Sequence, residues 1–254
     1  MNYSSENNAQ TADWTSPSNI ALIKYWGKHG NQLPSNPSLS FSLSAANTRM
    51  LVSVVGTGLP VVNTFYFGGL ESVEFQKRIE KFLNEISPYF PFLYNTSLKI
   101  ESWNSFPHSA GIASSASAFS ALALCLCELS LETSFEETNK EVFFRKASQI
   151  ARIGSGSACR SVYGGFNSWG RTEIIENSSD EWATNADFEI HNVFKNMQDT
   201  ILIVSSEKKK ISSSAGHSLM NTHPYAKERY SLAVKNLEIL SILSRLVIFP
   251  TLYK

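Results

Sequence analysis

The sequence predicts an α+β fold, a mainly antiparallel sheet interrupted by helices in irregular order. Three observations predict it: short apolar runs rich in β-formers with Gly, Pro and Asn between them, helical periodicity in a few longer segments, and no regular strand–helix alternation of the doubly wound kind. The early strand candidates are Asn19–Tyr25, Leu39–Leu43, Met50–Val55, Val62–Phe67 and Ser97–Trp103, preceded by a polar stretch, residues 1–14, that reads as a disordered tail. Val73–Ile86 carries Val73, Ile79, Phe82, Leu83 and Ile86 at helical spacing, and Pro88 stops it. Ala113–Leu129 is apolar on nearly every face, which predicts a helix buried in the middle of its domain. Ser134–Arg152 opens with Ser134 and Glu137 in capping-box relation and runs to Gly154. Further strands are expected at Ser161–Trp169, Arg171–Ile175 and Thr200–Ser205. After them His223–Pro224 starts a helix carrying Tyr230, Ala233, Val234, Leu237 and Leu240.

At 254 residues and 43% apolar, the chain can fill one large or two small domains. A boundary near 195 divides an N-terminal α+β domain, residues 15–195, from residues 196–254. That last part holds one strand, one loop and one helix, too little for its own core, so an incomplete C-terminal domain is expected. The 22 basic residues cancel the 22 acidic ones, which argues against nucleic acid or an anionic membrane as the main partner. No apolar run approaches the ~20 residues of a membrane span, and Met1–Asp13 lacks the features of a signal peptide. Cys125, Cys127 and Cys159 form an odd set without metal spacing, so a reducing, cytoplasmic setting is expected. The histidines are scattered, and no directly ligated metal is expected.

Three segments carry the chemistry. Phe106-Pro-His-Ser-Ala-Gly-Ile-Ala-Ser-Ser-Ala116 feeds the buried helix, and such a small-residue loop offers backbone N–H groups and the positive helix end to an anion. It equally suits a helix start chosen for close packing, and it is no Walker A loop, because no Gly-Lys-Ser/Thr closes it. Gly154-Ser-Gly-Ser-Ala-Cys-Arg160 gathers Ser155, Ser157 and Arg160 on a flexible backbone. Arg160 is then either a fork for a carboxylate or phosphate, or a surface arginine after a helix end. Asn19-Ile-Ala-Leu-Ile-Lys-Tyr-Trp-Gly-Lys28 sets Lys24 and Lys28 around an aromatic pair. Alternation would place Ile20, Leu22 and Lys24 on one face and Ala21, Ile23 and Tyr25 on the other.

These segments, with Leu-Pro…Ser-Leu-Ser (33–40), resemble signatures of the diphosphomevalonate decarboxylases of the GHMP kinase superfamily, over roughly residues 15–240. The resemblance implies a two-domain GHMP-kinase-like fold, its N-terminal domain of the ribosomal protein S5 domain 2-like type. It also implies ATP- and Mg²⁺-dependent conversion of diphosphomevalonate to isopentenyl diphosphate in isoprenoid synthesis, and a homodimer in the full-length form. By motif, Lys24 and Arg160 would act at the reacting centre, Arg160 on the substrate carboxylate. Tyr25 and Lys28 would grip the diphosphate, helped by Arg78, while Trp26, Gly27, Ser155, Gly156, Ser157, Ala158, Cys159 and Ser213 complete the substrate surface. Trp26 itself reads as a packing residue behind the site. Ser109, Ala110, Gly111, Ile112, Ala113, Ser114 and Ser115 would form the ATP phosphate loop, with Mg²⁺ near Ser114 or Ser115. Lys208, in the lysine-rich loop 206–216, would reach the ATP phosphates. The family's catalytic aspartate lies in a C-terminal Asp-Ala-Gly-Pro motif that these 254 residues do not contain. The resemblance therefore implies a C-terminally truncated chain, whose own activity it leaves open. A related small-molecule kinase, or a non-catalytic remnant that binds nucleotide or diphosphate, stays open beside the decarboxylase.

Overall fold

The computed structural model describes residues 10–58, 61–107, 112–132, 134–186, 191, 194, 196–202 and 213–245. In chain order its strands are β1 (Thr11–Ile23), β2 (Lys28–His29), β3 (Leu33–Pro34), β4 (Ser38–Gly56), β5 (Val62–Phe67), β6 (Leu70–Glu71), β7 (Ser97–Asn104), β8 (Phe166–Trp169) and β9 (Ala183–Asn185). Its helices are α1 (Val73–Ile86), α2 (Ser114–Leu129), α3 (Lys140–Gly154), α4 (Ser213–Ser218) and α5 (Ala226–Arg245). The main sheet runs β6-β5-β7-β4-β8-β9, with β1 also paired to β4, and β2 and β3 form a separate hairpin. Every pairing in the main sheet is antiparallel except that of β5 with β7. The fold class is α+β.

The organising strand is β4. Its first half pairs with β8 and its second half with β7, while β1 follows it along nearly the whole length. Leu39–Leu43 and Met50–Val55, expected as two strands, are thus one continuous element. The break in the apolar pattern between them is a bulge: the β1 register jumps from Pro17–Asn47 to Ser18–Leu43. Pro17 has no N–H to give to the ladder, and a bulge is where a strand tolerates that loss. β1 itself begins at Thr11, so residues 11–14, read as tail, are sheet paired to Ser53–Met50.

Helix α2 lies across β1 and β4 with α3 beside it, and α1 packs against β5 and α3. Its Ala116, Phe119 and the run Ala121–Cys127 are buried, as the absence of a polar face predicts. Two hydroxyl pairs fasten it to the sheet: Ser16 with Ser120 at 2.8 Å and Thr48 with Ser117 at 2.7 Å. Helix α3 does not use the expected Ser134/Glu137 box. Phe135–Glu137 is a separate 3₁₀ turn without a side-chain cap, and Asn139 caps the helix by accepting from Val142 N–H at 3.2 Å. The strand expected from Ser161 begins only at Phe166, because Gly156–Val162 is 3₁₀-helical. Arg171–Ile175 is not a strand but a looped segment closed by Ser178, whose Oγ donates to the Thr172 carbonyl and accepts from its N–H. Of Thr200–Ser205, residues 200–202 are irregular and 203–205 lie outside the described residues.

Helix α5 docks Ala233, Leu237 and Leu240 on Ile23 of β1, Leu39 of β4 and Ile175 of the loop after β8, with Leu22, Trp26, Ile174 and Ala186 around them. It leaves Leu232, Ile239, Ile242 and Leu243 exposed. Among the described residues no helix is long and apolar enough to cross a membrane.

At the end of α3, a Cβ on Gly154 would stand 2.3 Å from the Phe119 ring, which is itself held edge-on by Phe82. Gly154→Ala is expected to cost about 1–3 kcal/mol, read as a lowered urea midpoint. An unchanged midpoint would mean that the ring moves aside freely.

Candidate functional site

Strand β1 delivers the first side chains. Its register with β4 slips between Ala21 and Ile23, so the simple alternation expected over residues 20–25 does not hold. Ile23 turns into the core, Lys24 is exposed and Tyr25 is half-buried. Asn36 then fixes the strip that follows: its Oδ1 accepts from Trp26 N–H at 3.0 Å, and its amide donates to the Lys24 carbonyl at 3.0 Å. Gly27 is required, because a Cβ there would lie 2.3 Å from the Tyr230 hydroxyl of α5. Lys28 opens the β2–β3 hairpin and donates to Gln32 Oε1 at 2.7 Å; burial lowers its pKa from the usual lysine range. Trp26 packs at the α5 contact, with the Lys24 ammonium 5.6 Å and the Arg229 guanidinium 4.5 Å from its ring.

Arg160 sits on the 3₁₀ helix Gly156–Val162 and is 2% exposed. The sequence left it open between a surface arginine and an anion fork; it is neither exposed nor on a flexible loop. Its Nε and Nη2 donate to Asn19 Oδ1 at 3.3 and 3.2 Å, and its Nη1 donates to Ser38 Oγ. Asn19 in turn donates to Ser161 Oγ at 2.7 Å and the Ser157 carbonyl at 3.2 Å. The guanidinium lies 5.7 Å from the Tyr25 ring and 6.0 Å from the Trp169 ring. Among the described residues no carboxylate pairs with it. Burial pushes the adjacent Cys159 thiol up to about 12 and raises the Tyr25 phenol, so both stay neutral and offer no counter-charge. A guanidinium carries about five N–H groups, and these bonds use only part of them.

Packing explains the small residues around it. A Cβ on Gly156 would stand 2.8 Å from Trp169, so the chain must be bare here for Trp169 to close on the 3₁₀ helix. Ala158 and Cys159 are fully buried. They support the segment from behind and present no surface to a ligand. Ser155 and Ser157 remain partly exposed.

The second candidate feature is the start of α2. Ala113 holds a left-handed φ of +50° and caps nothing, leaving first-turn N–H groups without a side-chain partner. Such strain in a non-glycine residue is a mark of functional backbone. The preceding Ile112 is anchored by Ser18, whose Oγ donates to its carbonyl at 2.5 Å. Ser115 Oγ lies 3.4 Å from Ser155 Oγ, so the helix start and the Arg160 segment meet. Beside Ser114 and Ser115 opens a pocket lined by Phe67, Phe75, Phe119, Arg78 and Asn104. Arg78, expected to reach the diphosphate, is exposed here over the Phe119 ring at 5.2 Å and lines this pocket.

The structure therefore brings Tyr25, Lys28, Ser155, Ser157, Arg160, Ser114 and Ser115 into one region. Ser109, Ala110, Gly111 and Lys208 lie outside the described residues, and so does the Ser213 side chain, although its backbone begins α4. Three contributors were missed. Asn19 and Ser38, which hold Arg160, stood inside the quoted 19–28 and 33–40 stretches, where a buried asparagine in a strand was the available signal. His217 had no sequence signal: it stacks on Tyr25 at 4.3 Å and 12°, and its Nδ1 lies 2.8 Å from the Trp26 carbonyl. Of the aspartates, Asp13 pairs with Arg49, Asp180 accepts from Arg171 N–H and Asp199 is exposed. None of these three reaches the site.

The profile of the diphosphomevalonate decarboxylase-like N-terminal domain matches residues 16–181. Diphosphomevalonate decarboxylase mvd1 of Aspergillus fumigatus is 35% identical over 230 residues, 85% of this chain and 54% of that protein. The human diphosphomevalonate decarboxylase is 33% identical over 217 residues, 80% of this chain and 50% of its own. The chain thus spans about half the length of the curated relatives it matches. Among solved structures, mevalonate diphosphate decarboxylase from Staphylococcus aureus superposes with a TM-score of 0.74 at 29% identity, covering 93% of this chain and 68% of that one. MDDEF in complex with MVAPP, AMPPCP and magnesium gives 0.73 at 28% identity, covering 95% of this chain and 70% of its own. Sequence profile and fold agree, and the chain belongs to the diphosphomevalonate decarboxylase-like family, whose N-terminal domain it carries.

Proposed function

We propose that this chain supplies the substrate and nucleotide grips of an ATP-dependent diphosphomevalonate decarboxylase. In that reaction ATP phosphorylates the tertiary hydroxyl. Phosphate then leaves while the electron pair of the carboxylate's C–C bond moves into the new double bond, releasing CO₂ and isopentenyl diphosphate. The observation that carries the reading is Arg160: a buried guanidinium whose hydrogen bonds, among the described residues, go to neutral partners. A buried charge without a counter-ion costs several kcal/mol, and a carboxylate arriving in its place turns that cost into binding energy.

The other residues divide the remaining charge. Lys28 and Lys24 stand on the Tyr25–Gly27 strip where a diphosphate would meet two ammonium groups. Ser155 and Ser157 add hydroxyls beside the carboxylate. The uncapped start of α2, with Ser114 and Ser115, suits the phosphates of a nucleotide, and the aromatic pocket beside it suits a flat base. The donor set fits an ATP–Mg²⁺ pair held by its phosphates; bound magnesium would draw charge off them. Holding both polyanions in register is the larger part of such catalysis. The resemblance puts the acid–base aspartate outside these residues, so turnover is a property proposed for the whole protein, as are a homodimer and a cytoplasmic location. The buried free thiols of Cys125, Cys127 and Cys159 accord with a reducing compartment.

The experiment is a calorimetric titration with diphosphomevalonate and with an analogue lacking the carboxylate. The native chain is expected to prefer the carboxylate form by roughly 10- to 100-fold. Arg160→Met is expected to erase that preference. Because it leaves Asn19 Oδ1 and Ser38 Oγ without their buried donor, it is also expected to cost about 1–3 kcal/mol, read as a lowered urea midpoint, while the chain still folds. A native chain indifferent to the carboxylate would remove the assignment. Lys28 gives a second test. Burial lowers its pKa, so it loses its charge earlier than an exposed lysine as pH rises. Diphosphate affinity is then expected to fall on the alkaline side, and Lys28→Arg to hold it to higher pH. Identical alkaline profiles for the two proteins would contradict the role.

A further inference from the structure

His217 lies outside the family motifs quoted above, yet its ring is built into the anion site. It comes from α4, stacks face to face on Tyr25 at 4.3 Å, and its Nδ1 meets the Trp26 carbonyl at 2.8 Å. A carbonyl can only accept, so Nδ1 carries the hydrogen and Nε2 is the basic atom of the neutral ring. The same Tyr25 ring stands edge-on to Trp169 at 4.9 Å and covers Arg160. His217 therefore clamps the aromatic side chain that roofs the buried guanidinium.

Its electrostatic surroundings are one-sided. The charges acting on it are those of Lys28 and Lys24, both cationic; Tyr25 beneath it stays a neutral phenol, and Arg160 lies beyond that ring. Arg229 of α5 adds a further cation on the neighbouring Trp26 ring. Burial first, then the two lysines, hold the imidazole below its ordinary range, against the hydrogen bond to Trp26. In the free protein it is neutral at pH 7. A polyanion between the lysines cancels their repulsion and adds attraction for a third positive charge.

We propose that His217 belongs to the polyanion site, fixing the Tyr25 ring and taking up a proton at Nε2 when a diphosphate settles against Lys24 and Lys28. The proton comes from solvent and no bond to the ligand forms. This rests on the reading of the lysine strip as the diphosphate grip. By linkage, a ligand that binds more tightly to the protonated ring raises that ring's pKa by the same factor. The gain in affinity is full below the free ring's pKa and vanishes above that of the bound ring.

The test uses inorganic pyrophosphate and the whole chain carrying ¹³C-labelled histidine, titrated by NMR with and without the anion. His217→Gln, which can still donate to the Trp26 carbonyl, identifies the resonance. Its ring is expected to titrate at higher pH when pyrophosphate is bound. Calorimetry in buffers of different ionisation enthalpy is expected to show proton uptake by the native chain in excess of the variant's. The variant's affinity is expected to fall by about three- to tenfold near pH 6 and not at all near pH 8. Binding of pyrophosphate with an unmoved His217 titration, or equal proton uptake in both proteins, overturns this inference and leaves the lysine grip standing. Failure of the native chain to bind millimolar pyrophosphate overturns both.

Discussion

A guanidinium in the interior, with no carboxylate paired to it among the described residues, sets the terms for this fold. Arg160 is buried among Asn19, Ser38, Tyr25 and Trp169, and none of them is an anion. Water would solvate that guanidinium far better than these neutral groups do. The elements that hold it come from separate parts of the chain: Asn19 from β1, Ser38 from β4, and a 3₁₀ helix clasped between α2, α3 and the sheet. The sheet's long strand and its partners form a frame that keeps this cation out of solvent.

The same logic accounts for the rest of the site. Small residues at 27, 154 and 156 are bare because Tyr230, Phe119 and Trp169 already occupy the space a Cβ would take. Ala113 sits in a left-handed conformation at the start of α2, and Ser115 reaches Ser155. The start of α2 and the Arg160 segment thus share a wall. On the proposed reading, that adjacency is what an in-line transfer between two bound polyanions demands.

Much of the fold was legible where one physical signal dominated. Val73–Ile86 and Val62–Phe67 begin and end where periodicity and Pro88 place them, and α2 declared its burial through the lack of a polar face. The signal failed where two effects competed. The β4 pattern breaks at Ala45–Asn47 because of a bulge and not a turn, and Ser134 met the spacing of a cap while Asn139 did the capping. Gly154–Arg160 is too rich in small residues to show any period, so its 3₁₀ form was hidden. The motifs gathered the site, but nothing local to Arg160 says that it is buried. That follows from Asn19 and Ser38, which lie over a hundred positions away along the chain, at separations of 141 and 122 residues. His217, 191 residues from the Trp26 carbonyl it meets, was illegible for the same reason.

The most direct measurement is a crystal structure of this chain with bound diphosphomevalonate. The account predicts a carboxylate oxygen within hydrogen-bond distance of the Arg160 guanidinium, while the bonds to Asn19 and Ser38 persist. A ligand seated with its carboxylate elsewhere, and the guanidinium still bonded to neutral groups alone, would contradict it.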